Sequence, residues 1–140
     1  MIKGTTDTLM ESYLRDLIAR GDFARWLAEE ATLTIVGTDQ TAAGRGAIEQ
    51  MIRYLHEQAF DGTVETKTVV ADGSHAALEA DFVGRHIDDF AGVPATNRSF
   101  RVPYSAVYDV ADGEIAAIRI YMCLPALIAQ ISAPTASQEV

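Results

Sequence analysis

Apolar residues recur at helical spacing through the first part of the chain and at alternate positions after Gly62, so the fold is read in two halves. Asp7 or Thr8 can cap a first helix whose residues Leu9, Met10, Tyr13, Leu14, Leu17 and Ile18 share one face, and Gly21 stops it. Asp22 caps a short second helix that buries Phe23, Trp26 and Leu27, and Thr32 to Val36 form a brief strand before a Gly/Thr/Ala-rich loop. A third helix runs from about Gly46 to Ala59 with Ile48, Met51, Ile52 and Leu55 on its inner stripe. Beyond Gly62, the alternating runs Thr63–Ala71 and His75–Arg85 flank Asp72-Gly73, and Ser99–Val110 and Glu114–Met122 flank Asp112-Gly113. Asp-Gly between alternating runs is a strong hairpin signal. With no helix between these strands, an antiparallel sheet and an α+β class follow. Helices first and a long sheet second predict a cone-shaped curved sheet wrapped around three N-terminal helices, with a mouth able to hold a small molecule. Residues 1–131 read as one domain. The polar segment 132–140 reads as a disordered tail.

Composition narrows the function. A net charge of −9 and a pI near 4.6 leave little with which to neutralise phosphates, which argues against nucleic acid and an anionic membrane surface. No apolar run reaches the length of a membrane span, and the opening MIKGTTDT lacks the pattern of a signal peptide. One cysteine makes no internal disulfide, so a reducing cytoplasm is the simple expectation. The scattered histidines His56, His75 and His86 form no metal-site spacing, so no metal and no cofactor is expected.

Three segments resemble a known family. Gly84-Arg85-His86, followed by Phe90-Ala91-Gly92-Val93-Pro94-Ala95-Thr96-Asn97-Arg98, resembles the G-x-H … F-x-G-x-P-x-T-G-R loop of SnoaL-like proteins. Val107 to Ile115 resembles their V-[YF]-x-[VF]-x-D-G-[KE]-I hairpin, and Gly44 to Gln50 is similar to the G-R-x-A-[VI]-E-Q helix start of limonene epoxide hydrolases. The group includes polyketide cyclases within the nuclear transport factor 2-like superfamily, together with ketosteroid isomerase. The resemblance spans roughly residues 8 to 131 and implies the cone fold more specifically than any reaction. The cyclases' histidine and aspartate fall on Ala106 and Ile120. The epoxide hydrolase positions fall on Thr34, Val36, Glu79, Asp81 and Ile120, and the isomerases' aspartate falls on Ile35. Among these, Asp81 alone keeps its kind, with Glu79 at the arginine position.

The candidate catalytic residues are therefore Asp81, Glu79 and His86. Two carboxylates on one strand face inside an apolar cone would repel each other and raise one pKa, as acid–base work requires. Periodicity alone gives the opposite answer: Leu78, Ala80 and Phe82 form the apolar set, which leaves Glu65, Lys67, Glu79 and Asp81 on a solvated outer face. His86 is a candidate proton shuttle at the mouth, or a rim residue that holds the following loop. Tyr104 and Tyr108 offer hydroxyls to a substrate, and Trp26, Met51, Leu55, Ile118, Ile120 and Met122 are the expected apolar walls. His56 and His75 read as surface residues, and Cys123 as a buried structural thiol. Arg119, Tyr121 and Val107 point to an outer face suited to a homodimer. The expected ligand is a small hydrophobic oxygenated metabolite, processed by metal-free acid–base catalysis of the cyclase, isomerase or epoxide hydrolase type. A catalytically inactive ligand-binding or dimeric scaffold protein, or an interaction module using the outer sheet, is the alternative.

Overall fold

The computed structural model describes residues 5–132; of the expected tail 132–140, Ser132 ends a helix and the rest lies outside the described residues. The chain runs α1 (Thr5–Ile18), a 3-10 turn (Phe23–Trp26), β1 (Leu27–Ile35), β2 (Thr41–Ala43), α2 (Arg45–Arg53) and a π-turn (Tyr54–Gln58). It continues with β3 (Phe60–Asp72), β4 (His75–His86), β5 (Ser99–Ala111), β6 (Glu114–Met122) and α3 (Leu124–Ser132). The six strands form one curved sheet in the order β2-β1-β6-β5-β4-β3. Both Asp-Gly hairpins are present, with Gly73 and Gly113 at positive φ in their turns. One pair departs from the antiparallel expectation. β1 lies parallel to β6, joining Leu33 to Ile118 and Ile35 to Ile120, so the sheet is mixed. No turn sequence announces such a pairing, because the partners lie most of the chain apart.

The helix α1 ends at Ile18, three residues before the expected glycine, and its left-handed residue falls one position before that glycine. Arg20 takes the left-handed conformation (φ 59°), and the Gly21 N–H reaches back to the Asp16 carbonyl at 2.8 Å. A main core joins Met10, Tyr13 and Leu17 of α1 and Ile48 of α2 to inward residues such as Leu33 and Leu78. A second cluster under α3 packs Leu127 and Ile131 against Phe60, Phe82 and Phe100. Gln130 clamps α3 to the sheet, accepting from the Arg101 N–H at 2.8 Å and donating to the Arg101 carbonyl at 3.0 Å.

Strict alternation along β3 fails at a bulge between Thr66 and Thr68. The extra residue is Lys67, and beyond it the faces exchange: Thr68 pairs with Glu79 on the outer side, while Val69 pairs with Leu78. Gly62 and Gly84 face each other where β3 and β4 draw close. A Cβ on Gly84 would stand 2.2 Å from the Asp61 carbonyl oxygen. That close approach is the physical content of the glycine in the G-x-H segment.

Candidate functional site

The concave face of the sheet, α1, α2 and α3 enclose a cavity of about 500 Å³. Most of its wall is apolar, from residues such as Leu33, Ile118 and Leu124. Four phenols break that wall: Tyr54 at the rim and, inside, Tyr13 from α1 and Tyr104 and Tyr108 from β5. Tyr13 packs edge-on against Tyr108, with ring centroids 6.0 Å apart. Burial pushes Tyr13, Tyr104 and Tyr108 above their ordinary pKa. Their mutual proximity adds to this, since Tyr104 acts on Tyr13 and both act on Tyr108. They are neutral donors at any physiological pH. None of the three hydroxyls has a hydrogen-bond partner among the described residues, although Tyr13 and Tyr108 are almost wholly buried. Their oxygens open onto the cavity, where a ligand can supply the acceptor that the protein does not.

The second polar group in the cavity is His56, which sequence reading assigns to the surface. The π-turn makes the difference. One residue is accommodated beyond the α-helical register, closed by the Ala59 N–H on the Tyr54 carbonyl at 2.8 Å, and Tyr54, Leu55 and His56 all reach the cavity wall. The imidazole is half-buried and packs against Phe82 at 5.2 Å. Burial, reinforced by the Arg20 guanidinium and opposed by Glu57, brings its pKa down to about 4, so the ring is neutral at pH 7. Arg20 also holds the turn in place. Its guanidinium donates to the His56 carbonyl (3.2 Å), to Asp61 Oδ1 (2.8 Å) and to the Gly62 carbonyl (2.9 Å).

The three expected catalytic residues do not reach this cavity. Asp81 is on the outer face of β4, covered by long side chains: Arg101 donates to its Oδ2 at 2.8 Å and Lys67 Nζ lies 3.2 Å from its Oδ1. It is 5% exposed yet surrounded by cations rather than by apolar walls. The Arg101 bond, with help from Lys67, holds its carboxyl below the usual range, the opposite of an acid poised near neutrality. Glu79 is exposed on the same face and accepts from Thr68 Oγ1 at 3.0 Å. His86 is fully buried beneath the 87–98 loop. Its Nδ1 accepts from the Thr96 N–H at 3.3 Å and lies 3.0 Å from Thr96 Oγ1, while its Nε2 has no partner. It fastens the loop and stays out of the cavity wall.

The apolar expectations divide differently. Tyr104, Tyr108, Ile118, Ile120 and Met122 all line the cavity, as do Met51 and Leu55. Trp26 does not: its indole N–H donates to Asp16 at 2.7 Å, and Arg25 lies over the ring at 4.8 Å. Cys123 is exposed rather than buried, and its carbonyl accepts from the first turn of α3. Arg119 forms a two-pronged ion pair with Asp109 on the outer face, beside the exposed Tyr121. Tyr13 is the most consequential omission. Its place on the apolar stripe of α1 marks it as core, and nothing local separates a core tyrosine from one whose hydroxyl reaches a cavity.

The mouth is built from two turns. Thr38, Asp39 and Gln40 come from the β1–β2 connection, and Phe90 and Ala91 from the loop after β4. Tyr54 ties the second of these to the π-turn by donating to the Asp89 carbonyl at 3.1 Å. Among the described residues, no cluster of histidine, cysteine, aspartate and glutamate could hold a metal, and no helix is long and apolar enough to cross a membrane.

Solved structures share this architecture. A candidate SnoaL-like polyketide cyclase from Jannaschia sp. CCS1 is 21% identical, with a TM-score of 0.84 over 95% of each chain. TsrD from Streptomyces laurentii is 24% identical, with a TM-score of 0.78 over 96% of this chain and 99% of its own. A protein of ketosteroid isomerase-like fold from Catenulispora acidiphila, solved in complex with trimethylamine, is 19% identical, with a TM-score of 0.73 over 92% and 95%. At these identities the likeness is one of fold. No curated protein matches the chain. The family profile of the SnoaL-like domain matches residues 10–118, most of the chain and every element from α1 to the middle of β6. By that match, the chain belongs to the SnoaL-like family, which includes polyketide cyclases and shares the cone of the ketosteroid isomerases.

Proposed function

We propose that this chain is a small-molecule enzyme that moves a proton on a hydrophobic substrate bearing a carbonyl group. The reading is carried by one observation: three neutral tyrosine hydroxyls without protein partners line an apolar cavity that also holds a neutral imidazole. Phenol donors suit a carbonyl oxygen in the ground state and suit it better as negative charge develops there. His56 is the group able to accept a proton from the carbon next to that carbonyl. The C–H electron pair becomes a new C=C bond, the carbonyl π pair moves to the oxygen to give the enolate, and the proton sits on the imidazole. Return of that proton to another atom is an isomerisation, and attack of the enolate carbon on a second carbonyl is a cyclisation. A ring with so depressed a pKa is a weak base at rest. The enolate's charge beside the imidazolium strengthens it when it is needed.

A binding protein without chemistry is the second reading, favoured by the position of Asp81 and Glu79 outside the cavity. The probe 2-acetylnaphthalene separates the two, because its methyl protons exchange with D₂O through an enolate. Proton NMR should show exchange well above the buffer rate, lost in His56→Gln and reduced in Tyr108→Phe. A probe that binds but exchanges no faster than in buffer makes the protein a binder and ends the enzymatic reading.

A further inference from the structure

We propose that the cavity sorts its ligands by charge, taking an uncharged hydrophobic body inside and accepting a positively charged amine, but not an anion, at the mouth beside Asp39. The proposal rests on the small-molecule reading of the cavity and adds the class of ligand.

The interior penalises a ligand that arrives with a net charge of either sign, whereas an enolate and an imidazolium formed together leave its net charge unchanged. Burial raises the phenols, which means it penalises their anions, and burial lowers His56, which means it penalises a cation. A carboxylate placed there exchanges its hydration for neutral donors alone. Among the described residues, no lysine or arginine lines the cavity. The nearby arginines are committed elsewhere: Arg20 to Asp61 and backbone carbonyls, and Arg101 and Arg119 to carboxylates on the outer face. The tyrosine hydroxyls, open to the cavity and without a protein partner, suit an acceptor such as a ketone or ether oxygen, which brings no charge with it.

The mouth differs. Asp39 is the one carboxylate among the described lining residues; it is exposed, and its partner is the Gln40 amide at 3.4 Å, with no cation. The other rim segment carries Asp88 and Asp89 immediately before Phe90, with the Tyr54 ring beside it. Carboxylates next to aromatic faces favour an ammonium and repel an anion. The net charge of −9 acts in the same direction at longer range.

Three probes with one ring system test the idea: 2-acetylnaphthalene (neutral), 2-(aminomethyl)naphthalene (cationic) and 2-naphthoate (anionic), each titrated by calorimetry at low salt. The ketone and the amine should bind, and naphthoate should bind at least about tenfold more weakly than the ketone. Asp39→Asn should lower the amine-to-ketone affinity ratio by roughly threefold to tenfold, and added salt should shrink the same ratio in the wild type. Naphthoate binding as tightly as the ketone overturns the proposal, as does an amine-to-ketone ratio unchanged by Asp39→Asn. Failure of all three probes to bind at about millimolar concentration overturns the small-molecule reading itself, and the charge rule with it.

Discussion

His56 ties the site's electrostatics to the stability of the whole fold. In the unfolded chain its imidazole titrates near the ordinary 6.5, and in the folded protein near 4. The folded state therefore binds the proton less well than the unfolded one, and acid favours unfolding. The stability contributed by the neutral ring is complete above about pH 6.5, falls as pH drops through the window down to about 4, and changes no further below it. The difference between 6.5 and about 4 amounts to about 3 kcal/mol across that window. His56→Gln removes the proton site. Urea unfolding of both proteins at several pH values between about 7 and 4 should show the wild type losing up to about 3 kcal/mol more than the variant. Asp16, Asp81 and Asp109, all held below the usual carboxylate range, give up their stabilisation only at the acid end, and equally in both proteins. Arg20→Gln should move the imidazole titration, followed by NMR, part of the way back up, because burial is the larger cause and Arg20 the smaller. A ring that titrates near 6.5, or a difference between the two proteins that stays within about 0.5 kcal/mol across the window, would refute this account of the cavity.

Two further outcomes follow from the sheet. Asp81→Asn should lower Tm, by loosening Arg101 and Lys67, while leaving the exchange of 2-acetylnaphthalene unchanged; lost exchange at an unaltered Tm would restore Asp81 as a catalytic acid. Gly84→Ala should force β3 and β4 apart, because the new methyl group meets the Asp61 carbonyl and the Gly62 Cα rather than a movable side chain. The expected cost is about 1–3 kcal/mol, or on the order of 5–10 °C in Tm by scanning calorimetry, and an unchanged Tm would contradict the close approach.

Elements whose causes are local could be read from the sequence alone. The stripe Leu9-Met10-Tyr13-Leu14-Leu17 made α1, and the Asp-Gly turns made two hairpins and set their register near each turn. The apolar lining from β5, β6 and α2 was legible for the same reason: position along an alternating or helical stripe decides which way a side chain points. Three decisions belonged to the tertiary structure. The parallel contact of β1 with β6 joins segments far apart in sequence and has no local signature. The bulge at Lys67 and the π-turn at Tyr54–Gln58 each insert one residue into a regular repeat, which rotates everything beyond it; the first moved Thr68 to the outer face, and the second brought His56 to the cavity. Whether a polar side chain titrates as an acid or serves as a strut depends on its neighbours in space. Asp81 is buried by Arg101 and Lys67, and Tyr13 by apolar walls, although the sequence around each looks like an ordinary strand or helix. Pattern sets the direction in which a side chain points, and packing sets what it meets there, which is why the fold was legible in the sequence and the chemistry of the cavity was not.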